Sequence, residues 1–401
     1  MDGHDPKGPT RRFMLRLAGA AAMTAAVPAM AAAGKRVFAY VGTYTDRGKG
    51  IHLLSVDGGS GALTPMREFA GIANPSSLVV APNGRFLYAV NEVAEFEGQK
   101  TGAVSAFAID RATGDLKAVN AVSSGGVEPA HIGIDPQGRH VFAANYGSGS
   151  VAVVPIRPDG ALGAATDVQK ITGPLGPRKA QGAPPGSFAD SGHDAPHAHM
   201  AALDPTGRFL LVSDLGTDRI YVYRFDRASG KLTPNDPAFV QAAPGAGPRH
   251  FAFRPNGRIA YSLNEEASTI DVMEYDSSRG ALAIRQTLSS LPKGFEGTNY
   301  PSEIAVAPGG RYVYAANRLH DSIGIFAIGL DGRLKPAGEE WTRGSYPRHF
   351  AADPSGRFLY VLHSRSDNVT IFRIEGGGAR LAFTGRYTGI GNPSQIVFLS
   401  V

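Results

Sequence analysis

The chain consists largely of short runs of β-branched, aromatic and small apolar residues, each ended by a turn signal. Residues 303–307, 312–316 and 323–328 are three successive runs of this kind. Residues 308–311, Pro-Gly-Gly-Arg, separate the first two runs, because Pro presets φ for a turn and Gly accepts a positive φ. Runs this short cannot bury their faces alone, so neighbouring repeats must supply the partner surface.

The same pattern recurs along the chain at intervals of about fifty residues. A leading proline, placed before the first run, stands at Pro75, Pro129, Pro196, Pro248, Pro301, Pro347 and Pro393. The x-Pro-x-Gly-Arg turn that follows the first run ends at Arg85, Arg139, Arg208, Arg258, Arg311 and Arg357. Each repeat then supplies a second and a third strand, and a Gly-x-Leu turn leads toward a fourth.

The two ends of the chain are incomplete repeats that complement each other. Residues 392–399 hold a leading proline and a first strand, whereas residues 36–43 begin at a second strand. Together they complete a seventh repeat. We therefore predict an all-β fold, a seven-bladed β-propeller with four-stranded blades, whose last blade is closed by the N- and C-terminal strands.

Composition agrees with this fold and excludes some chemistry. The 401 residues include 51 glycines and 28 prolines, as expected for many short strands and turns, and no cysteine. Disulfides, a catalytic thiol and zinc–thiolate sites are thus excluded. No Lys/Arg-rich stripe with interleaved aromatics is present, so we expect no nucleic-acid partner.

The first 34 residues follow a different pattern. A twin arginine, Arg11-Arg12, is followed by an Ala-rich apolar run over residues 17–33 with small-x-small cleavage motifs. This pattern predicts a twin-arginine signal peptide over residues 1–34 and a propeller domain over residues 35–401. The run is too short and too rich in Ala to favour a lasting membrane span. We expect the export machinery as a partner of the precursor and a periplasmic location for the mature protein.

One interval is longer than the others. Pro129 and Pro196 are 67 positions apart, and the excess, within residues 163–195, is rich in Gly and Pro. It is either a tolerated surface insertion or a flap over one face of the ring, because it ends directly before an innermost strand.

Aligning the repeats on the leading proline exposes positions that vary from blade to blade. The start of the first strand and the end of the second lie at the same rim of the channel, because the two strands are antiparallel. One residue after the proline the repeats carry Ser76, Ala130, His197, Arg249, Ser302, Arg348 and Ser394. Three residues after it, His199 stands among six apolar residues. Just past the second strand stand Thr43, Glu92, Tyr146, Leu215, Glu265, Arg318 and Ser364.

The polar exceptions fall on adjacent blades, which predicts a site that combines a base, a carboxylate and guanidiniums. Arginine forks suit a carboxylate, a phosphate or an oxyanion. Two alternatives stay open: His199 is a hydrogen-bonded core histidine, or Glu265 and Arg318 only pair with each other. His193, His197 and His199 resemble a metal tract but lack matching carboxylate spacing, so we expect no metal.

Residues 247–276, 300–328 and 346–372 resemble the lactonase family of seven-bladed propellers, which includes propeller-type 6-phosphogluconolactonases and carboxymuconate lactonizing enzymes. The resemblance spans residues 36–401. It rests on the motifs Pro-His-Ala-His at 196–199, Gly-Pro-Arg-His at 247–250, Asn-Glu at 264–265 and Ala-Asn-Arg at 316–318. It implies an active site that contains His197, His199, Arg249, Glu265 and Arg318.

The expected activity is the hydrolysis of a sugar-derived lactone by an activated water, without metal or cofactor. Either His199 or Glu265 would be the general base, and Arg249 and Arg318 would stabilise the oxyanion. Substrate contacts are expected from His197, Arg348, His131 and Glu303. An exported enzyme would meet an unphosphorylated lactone such as gluconolactone. A muconate-type lactonizing cycloisomerase and a non-catalytic binding propeller remain alternatives.

Overall fold

The computed structural model describes residues 36–189 and 192–401. The predicted signal peptide lies outside the described residues. Every regular element in the described part is a strand, and the strands form seven four-stranded antiparallel sheets. The strands of the first half of the chain are β1 (Val37–Thr43), β2 (Ile51–Val56), β3 (Leu63–Phe69), β4 (Ser77–Val80), β5 (Phe86–Asn91), β6 (Ala103–Ile109), β7 (Leu116–Ser123), β8 (Pro129–Ile134), β9 (His140–Asn145), β10 (Ser150–Pro155), β11 (Asp167–Lys170), β12 (Ala198–Leu203), β13 (Phe209–Asp214) and β14 (Arg219–Asp226).

The second half continues the same order of strands. It comprises β15 (Lys231–Gln241), β16 (Pro248–Phe253), β17 (Ile259–Asn264), β18 (Thr269–Asp276), β19 (Ala281–Ser289), β20 (Pro301–Val306), β21 (Tyr312–Asn317), β22 (Ser322–Ile328), β23 (Leu334–Trp341), β24 (Pro347–Ala352), β25 (Phe358–His363), β26 (Asn368–Glu375), β27 (Arg380–Gly389) and β28 (Pro393–Ser400). Blade 1 contains β28 and β1–β3, and blades 2 to 7 take four consecutive strands each from β4 onward.

The ring closes within blade 1, as predicted from the chain ends. Strand β28 lies against β1 in antiparallel register, with Val37 opposite Ser400 and Phe38 opposite Leu399. The innermost strands β28, β4, β8, β12, β16, β20 and β24 each contact the next one around the ring. The seven-bladed propeller predicted from the repeats is thereby confirmed.

The core is divided among the spaces between blades. Seven apolar clusters each combine side chains of two neighbouring blades, such as Phe142 and Val151 of blade 3 with Leu210 of blade 4. Five buried tyrosines add a hydrogen bond from the second strand to a glycine carbonyl of the next blade, at 2.8 to 3.1 Å: Tyr40, Tyr88, Tyr261, Tyr314 and Tyr360. In blades 3 and 4 the equivalent residues are Phe142 and Leu211, which carry no hydroxyl.

The x-Pro-x-Gly-Arg turns lie together on one face of the ring, here called the turn face. Their glycines all have φ between 65° and 70°, a conformation that favours glycine: Gly84, Gly138, Gly207, Gly257, Gly310 and Gly356. In blades 4 and 7 the arginine after the glycine hydrogen-bonds to the next blade. Arg208 Nη2 donates to the Ser277 carbonyl at 2.5 Å, and Arg357 Nη2 donates to the Gly58 carbonyl.

Part of the predicted insertion belongs to the propeller itself. Strand β11 (Asp167–Lys170) pairs with β10 and is the outermost strand of blade 3. The following segment crosses the face opposite the turn face. Its backbone hydrogen-bonds in succession to blade 4 at Gly216 (2.8 Å), to the entry of blade 5 at Pro244 (3.0 Å) and to the entry of blade 6 at Gly297 (2.7 Å).

Candidate active site

Six of the seven innermost strands, all but β4, have a register irregularity at the rim of the channel. In blade 5 Pro248 lies opposite Asn264 and His250 opposite Leu263, so Arg249 is the extra, bulged residue. Blades 3 and 7 repeat this geometry after Pro129 and Pro347. A bulge redirects a side chain. We call the bulged residue the first channel position and the following residue the second channel position.

The structure corrects the sequence alignment in blade 4. Ala198 lies opposite Asp214, as Pro248 lies opposite Asn264, and the bulge falls at His199. Pro196 is therefore two residues too early as the leading residue, and His199 occupies the same position as Arg249. The first channel positions of blades 1 to 7 are Ser394, Ser76, Ala130, His199, Arg249, Ser302 and Arg348.

A second correction concerns blade 1. Just past the second strand, the backbone N–H of Tyr44 donates to Asn392, as that of Glu265 donates to Gly247. Tyr44 rather than Thr43 is thus the equivalent of Glu265. Thr43 lies opposite Pro393, as Asn264 lies opposite Pro248, so Thr43 is the last residue of its second strand. Aligning Tyr40 with Tyr88 in the sequence gives the same result.

Glu265 lies between two guanidiniums. Its Oε2 lies 2.9 Å from Arg249 Nε, and its Oε1 lies 2.5 Å from Arg318 Nη2. Burial alone would raise the pKa of the Glu265 carboxyl, but the guanidiniums of Arg318 and Arg249 outweigh it and hold that pKa below its usual value. The predicted pairing of Glu265 with Arg318 is present, and it includes Arg249.

Both guanidiniums are fixed at a second point. Arg249 Nη1 donates to the Ser302 carbonyl, and Arg318 Nε donates to the Tyr300 carbonyl at 2.5 Å. The Arg318 guanidinium also lies over the rings of Tyr300 and Tyr346, at 5.6 and 5.2 Å from their centroids. A guanidinium has five N–H groups, so each retains donors for a ligand.

Arg348 is held from the other side of the ring. It contacts the hydroxyl of Tyr44, and that hydroxyl donates to Glu92 Oε2 at 2.7 Å. Burial raises the pKa of the Tyr44 phenol, so it stays a neutral donor. The pKa of Arg348 is raised despite burial, because Tyr44 and Glu92 favour its charged form. The sequence alignment missed Tyr44 because it matched Thr43 with Glu265, and it placed Glu92 at the rim without assigning it a role.

His197 has a structural environment at this rim. Its Nε2 lies 2.8 Å from Asp194 Oδ1, its Nδ1 lies 3.0 Å from the Tyr146 carbonyl, and its ring stacks on that of Tyr146 at 4.2 Å. Both ring nitrogens thus have protein partners. His197 fixes Tyr146, and the ring edge of Tyr146 meets His199 at 5.7 Å between centroids.

His199 is buried with an unused ring nitrogen. Its Nδ1 has no hydrogen-bond partner among the described residues. Burial, with Arg249 as the next contribution, places the pKa of His199 well below its usual value. The imidazole is therefore neutral at physiological pH. This differs from the alternative of a hydrogen-bonded core histidine.

A second layer of polar residues lies below His199 and Arg249. His250 Nδ1 lies 3.0 Å from Glu303 Oε2, and His349 Nε2 lies 3.5 Å from the same oxygen. Burial lowers the pKa of His131 to about 3 and that of His349 to about 4. Both layers line one cavity of about 20 Å³, whose walls include Ser76, Ser77, Ala130, His131, His199, Arg249, His250, Glu303, Arg348, His349, Ser394 and Gln395.

The three-histidine tract is divided among separate partners. His193 Nε2 lies 2.9 Å from Asp218 Oδ1, whereas His197 pairs with Asp194. No group of three or more His, Asp or Glu side chains within residues 36–189 and 192–401 is arranged to hold a metal ion. The described residues also contain no helix that could span a membrane.

The fold and the site together define a family. The model of the lactonase, 7-bladed beta-propeller family matches residues 38–398, and the chain belongs to this family.

Named relatives make the comparison more specific. A 6-phosphogluconolactonase of Bacillus subtilis is 34% identical over 290 residues, which are 72% of this chain and 77% of the relative. A 6-phosphogluconolactonase of Yersinia pseudotuberculosis is 32% identical over 284 residues, which are 71% and 75% of the two chains. Among solved structures, the periplasmic gluconolactonase of Pseudomonas aeruginosa matches with a TM-score of 0.80 and 30% identity, over 91% of this chain and 99% of the other.

Proposed function

We propose that the protein hydrolyses a sugar-derived lactone by direct attack of water on the ring ester. The observation that carries this proposal is the neutral, buried His199 beside two guanidiniums that are fixed on Glu265. A base next to fixed cationic donors suits a reaction that develops an oxyanion. The lactone hydrolases among the relatives support the same chemistry.

His199 is the better general base of the two candidates. Glu265 is a carboxylate whose two oxygens already face Arg249 and Arg318. Taking a proton there would break two charge-assisted contacts. His199 is neutral and keeps an unpartnered nitrogen, so protonation breaks no hydrogen bond. Glu265 then acts by orienting the two guanidiniums.

The reaction balances without a further reactant. His199 removes a proton from water as its oxygen bonds to the lactone carbonyl carbon, and the carbonyl oxygen becomes an oxyanion. Arg249 and Arg318 stabilise that charge. The bond from carbon to the ring oxygen then breaks, and the ring oxygen takes the proton from His199. The product is a hydroxy acid, which releases its carboxyl proton at neutral pH.

The charges at the rim favour an unphosphorylated substrate. Arg249 and Arg318 share Glu265, and Arg348 is held by Tyr44 and Glu92. A phosphate dianion would need guanidiniums that are not already compensated by carboxylates. A neutral aldonolactone such as gluconolactone requires only hydrogen-bond donors and acceptors at this position.

We further propose that residues 1–34 are a twin-arginine export signal and that residues 35–401 act in the periplasm. The Arg11-Arg12 pair, the apolar run after it and the periplasmic gluconolactonase of Pseudomonas aeruginosa support this location. Replacing both arginines by Lys should retain the precursor in the cytoplasm, measured by fractionation. Continued export would contradict this signal type.

The test of the activity uses purified residues 35–401 with a panel of lactones. We expect hydrolysis of glucono-1,5-lactone, unaffected by a metal chelator and faster than that of its 6-phosphate. Acid release measured at constant pH separates enzymatic from spontaneous opening. Turnover of muconate lactones alone would instead identify a lactonizing enzyme, and no turnover with measurable binding would identify a binding propeller.

A further inference from the structure

The second channel position has a framework role in blades 1 to 4. There its side chain accepts the backbone N–H of the innermost strand in the next blade. The four bonds are Leu78 N to Gln395 Oε1, Ile132 N to Ser77 Oγ (3.2 Å), Ala201 N to His131 Nδ1 (3.5 Å) and Phe251 N to Met200 Sδ (3.3 Å). This position therefore links successive blades around the channel.

The pattern changes in blades 5 and 6. The backbone N–H of Ile304 bonds to Glu303 Oε1 of its own strand, at 3.0 Å, rather than to His250 of the preceding blade. His250 Nδ1 instead bonds to Glu303 Oε2 at 3.0 Å. The change occurs beneath the first channel positions of blades 4 and 5, where the base and one guanidinium lie. A framework requirement does not explain it.

The contact with Glu303 determines where His250 carries its hydrogen. A carboxylate only accepts hydrogen bonds, so the His250 proton lies on Nδ1 and Nε2 is an acceptor. His250 Nε2 is buried and has no hydrogen-bond partner among the described residues. His250 as a whole is 8% exposed and lines the cavity together with His199.

The two imidazoles are arranged to share one small ligand. Their ring centroids are 5.0 Å apart and their planes are inclined at 69°. Both rings line the same cavity, and each has one buried nitrogen without a hydrogen-bond partner among the described residues. The cavity volume of about 20 Å³ exceeds the minimum for one water. A water there would have two acceptors for its two hydrogens.

We propose that His250 and Glu303 orient the hydrolytic water: the water donates one hydrogen to His199 and the other to His250 Nε2, while Glu303 fixes the His250 tautomer. The water oxygen is then directed at the lactone carbonyl. This inference rests on the proposed lactone hydrolysis. His250 is a catalytic residue in this account because it touches the reacting water, and Glu303 is a positioning residue.

The kinetic test compares His250→Leu, Glu303→Met and the double variant with the wild type on glucono-1,5-lactone. We expect each single variant to lower kcat on the order of a hundredfold with KM nearly unchanged, because the substrate contacts at the rim remain. The double variant should lose no more than either single one, because the pair acts as a unit. Fully additive losses, or kcat within threefold of wild type, would overturn the proposal.

Met200→Leu is the matched control. Met200 occupies the second channel position of blade 4, its Sδ accepts from Phe251 N, and it does not line the cavity, so its replacement tests the framework role alone. We expect a lower melting temperature and unchanged kcat.

A measurement on the unmodified protein keeps the inference independent of variant folding. The ¹⁵N chemical shifts of labelled His250 should report a protonated Nδ1 and an unprotonated Nε2. The opposite tautomer would refute the role of Glu303. Absence of lactone hydrolysis by the wild type would instead refute the proposed function. The failure of the inference and the failure of the proposed function can thus be distinguished.

Discussion

The two faces of the ring are made by the same seven repeats and obey different rules. On the turn face, Pro-x-Gly-Arg recurs six times, each glycine has nearly the same φ, and arginines such as Arg208 and Arg357 reach the next blade. On the opposite face, here called the site face because it carries the candidate active site, the first channel position holds three serines, an alanine, a histidine and two arginines. The same residues recur where they form the junction between blades. They vary at the first channel position, because there the backbone only directs a side chain into the channel and does not require a particular residue.

The faces also differ in what they bury. The site face buries the guanidiniums of Arg249 and Arg318 against the nearly buried carboxylate of Glu265. Such charges are weak contributors to stability because desolvation opposes their attraction. The turn face uses backbone carbonyls and exposed arginines. Buried charged groups that are absent from most other blades are expected at a functional site, because they oppose folding.

The largest effect should come from opening the ring. Deleting residues 392–401 removes β28, the innermost strand of blade 1, and exposes the edge of β1. We expect loss of cooperative thermal unfolding in calorimetry and circular dichroism. A deleted chain with an unchanged melting temperature would show that both faces are held without closure.

How far the sequence predicts each face follows from this difference. The recurring turns predicted the number of blades and the closure of the ring, because the local backbone conformation of each turn requires the same residues. The position of His199 was two residues off, because Pro196 imitates a leading proline and the true leading residue is Ala198. The contacts of Arg348 with Tyr44 join distant parts of the chain through side-chain reach, which no local pattern encodes.

Removing the Arg318 guanidinium should lower catalytic activity, an effect that we expect only for residues of the site face. Arg318→Ala should lower kcat on the order of a hundredfold, about 2.7 kcal/mol, as loss of an oxyanion donor does. It should also destabilise the fold by about 2 kcal/mol, because Glu265 loses one of its two charged partners and keeps Arg249. Steady-state kinetics and denaturant unfolding measure the two.

Two further variants make that result specific. Adding Glu265→Gln to Arg318→Ala takes the carboxylate partner from the buried Arg249, so stability should fall further while kcat stays low. Arg343→Ala breaks a half-buried pair with Glu340 in the outer part of the same blade and should leave kcat unchanged. Normal kcat in Arg318→Ala would place the chemistry elsewhere.

The buried histidines should make stability depend on pH. Burial lowers the pKa of His131 to about 3 and those of His349 and His363 to about 4. Below the unfolded pKa of about 6.5 the unfolded chain binds protons that the native state does not, so the free energy of unfolding falls as pH falls. Each such histidine contributes about 1.4 kcal/mol per pH unit between about pH 6 and 4.

His363→Asn is the matched variant for this prediction. The equivalent residue at the end of the second strand is Asn in blades 2, 3, 5 and 6, namely Asn91, Asn145, Asn264 and Asn317. The variant should therefore fold, and the dependence of its free energy of unfolding on pH should be weaker by the contribution of one histidine. An unchanged slope in urea titrations at pH 6 and pH 5 would show that His363 is protonated in the native state.

The smallest effect should come from a single arginine of the turn face. Arg357 is exposed, lies over Phe358 at 5.9 Å and donates to the Gly58 carbonyl of the next blade. An exposed hydrogen bond of this kind contributes about 1 kcal/mol or less, so Arg357→Ala should lower the melting temperature by about 2 °C or less. Its kcat should equal that of wild type, whereas Arg348→Ala on the other face should lose activity. A fall in kcat for Arg357→Ala would mean that the blade junction transmits strain through blade 7 to the site face, and the separation between the faces would fail.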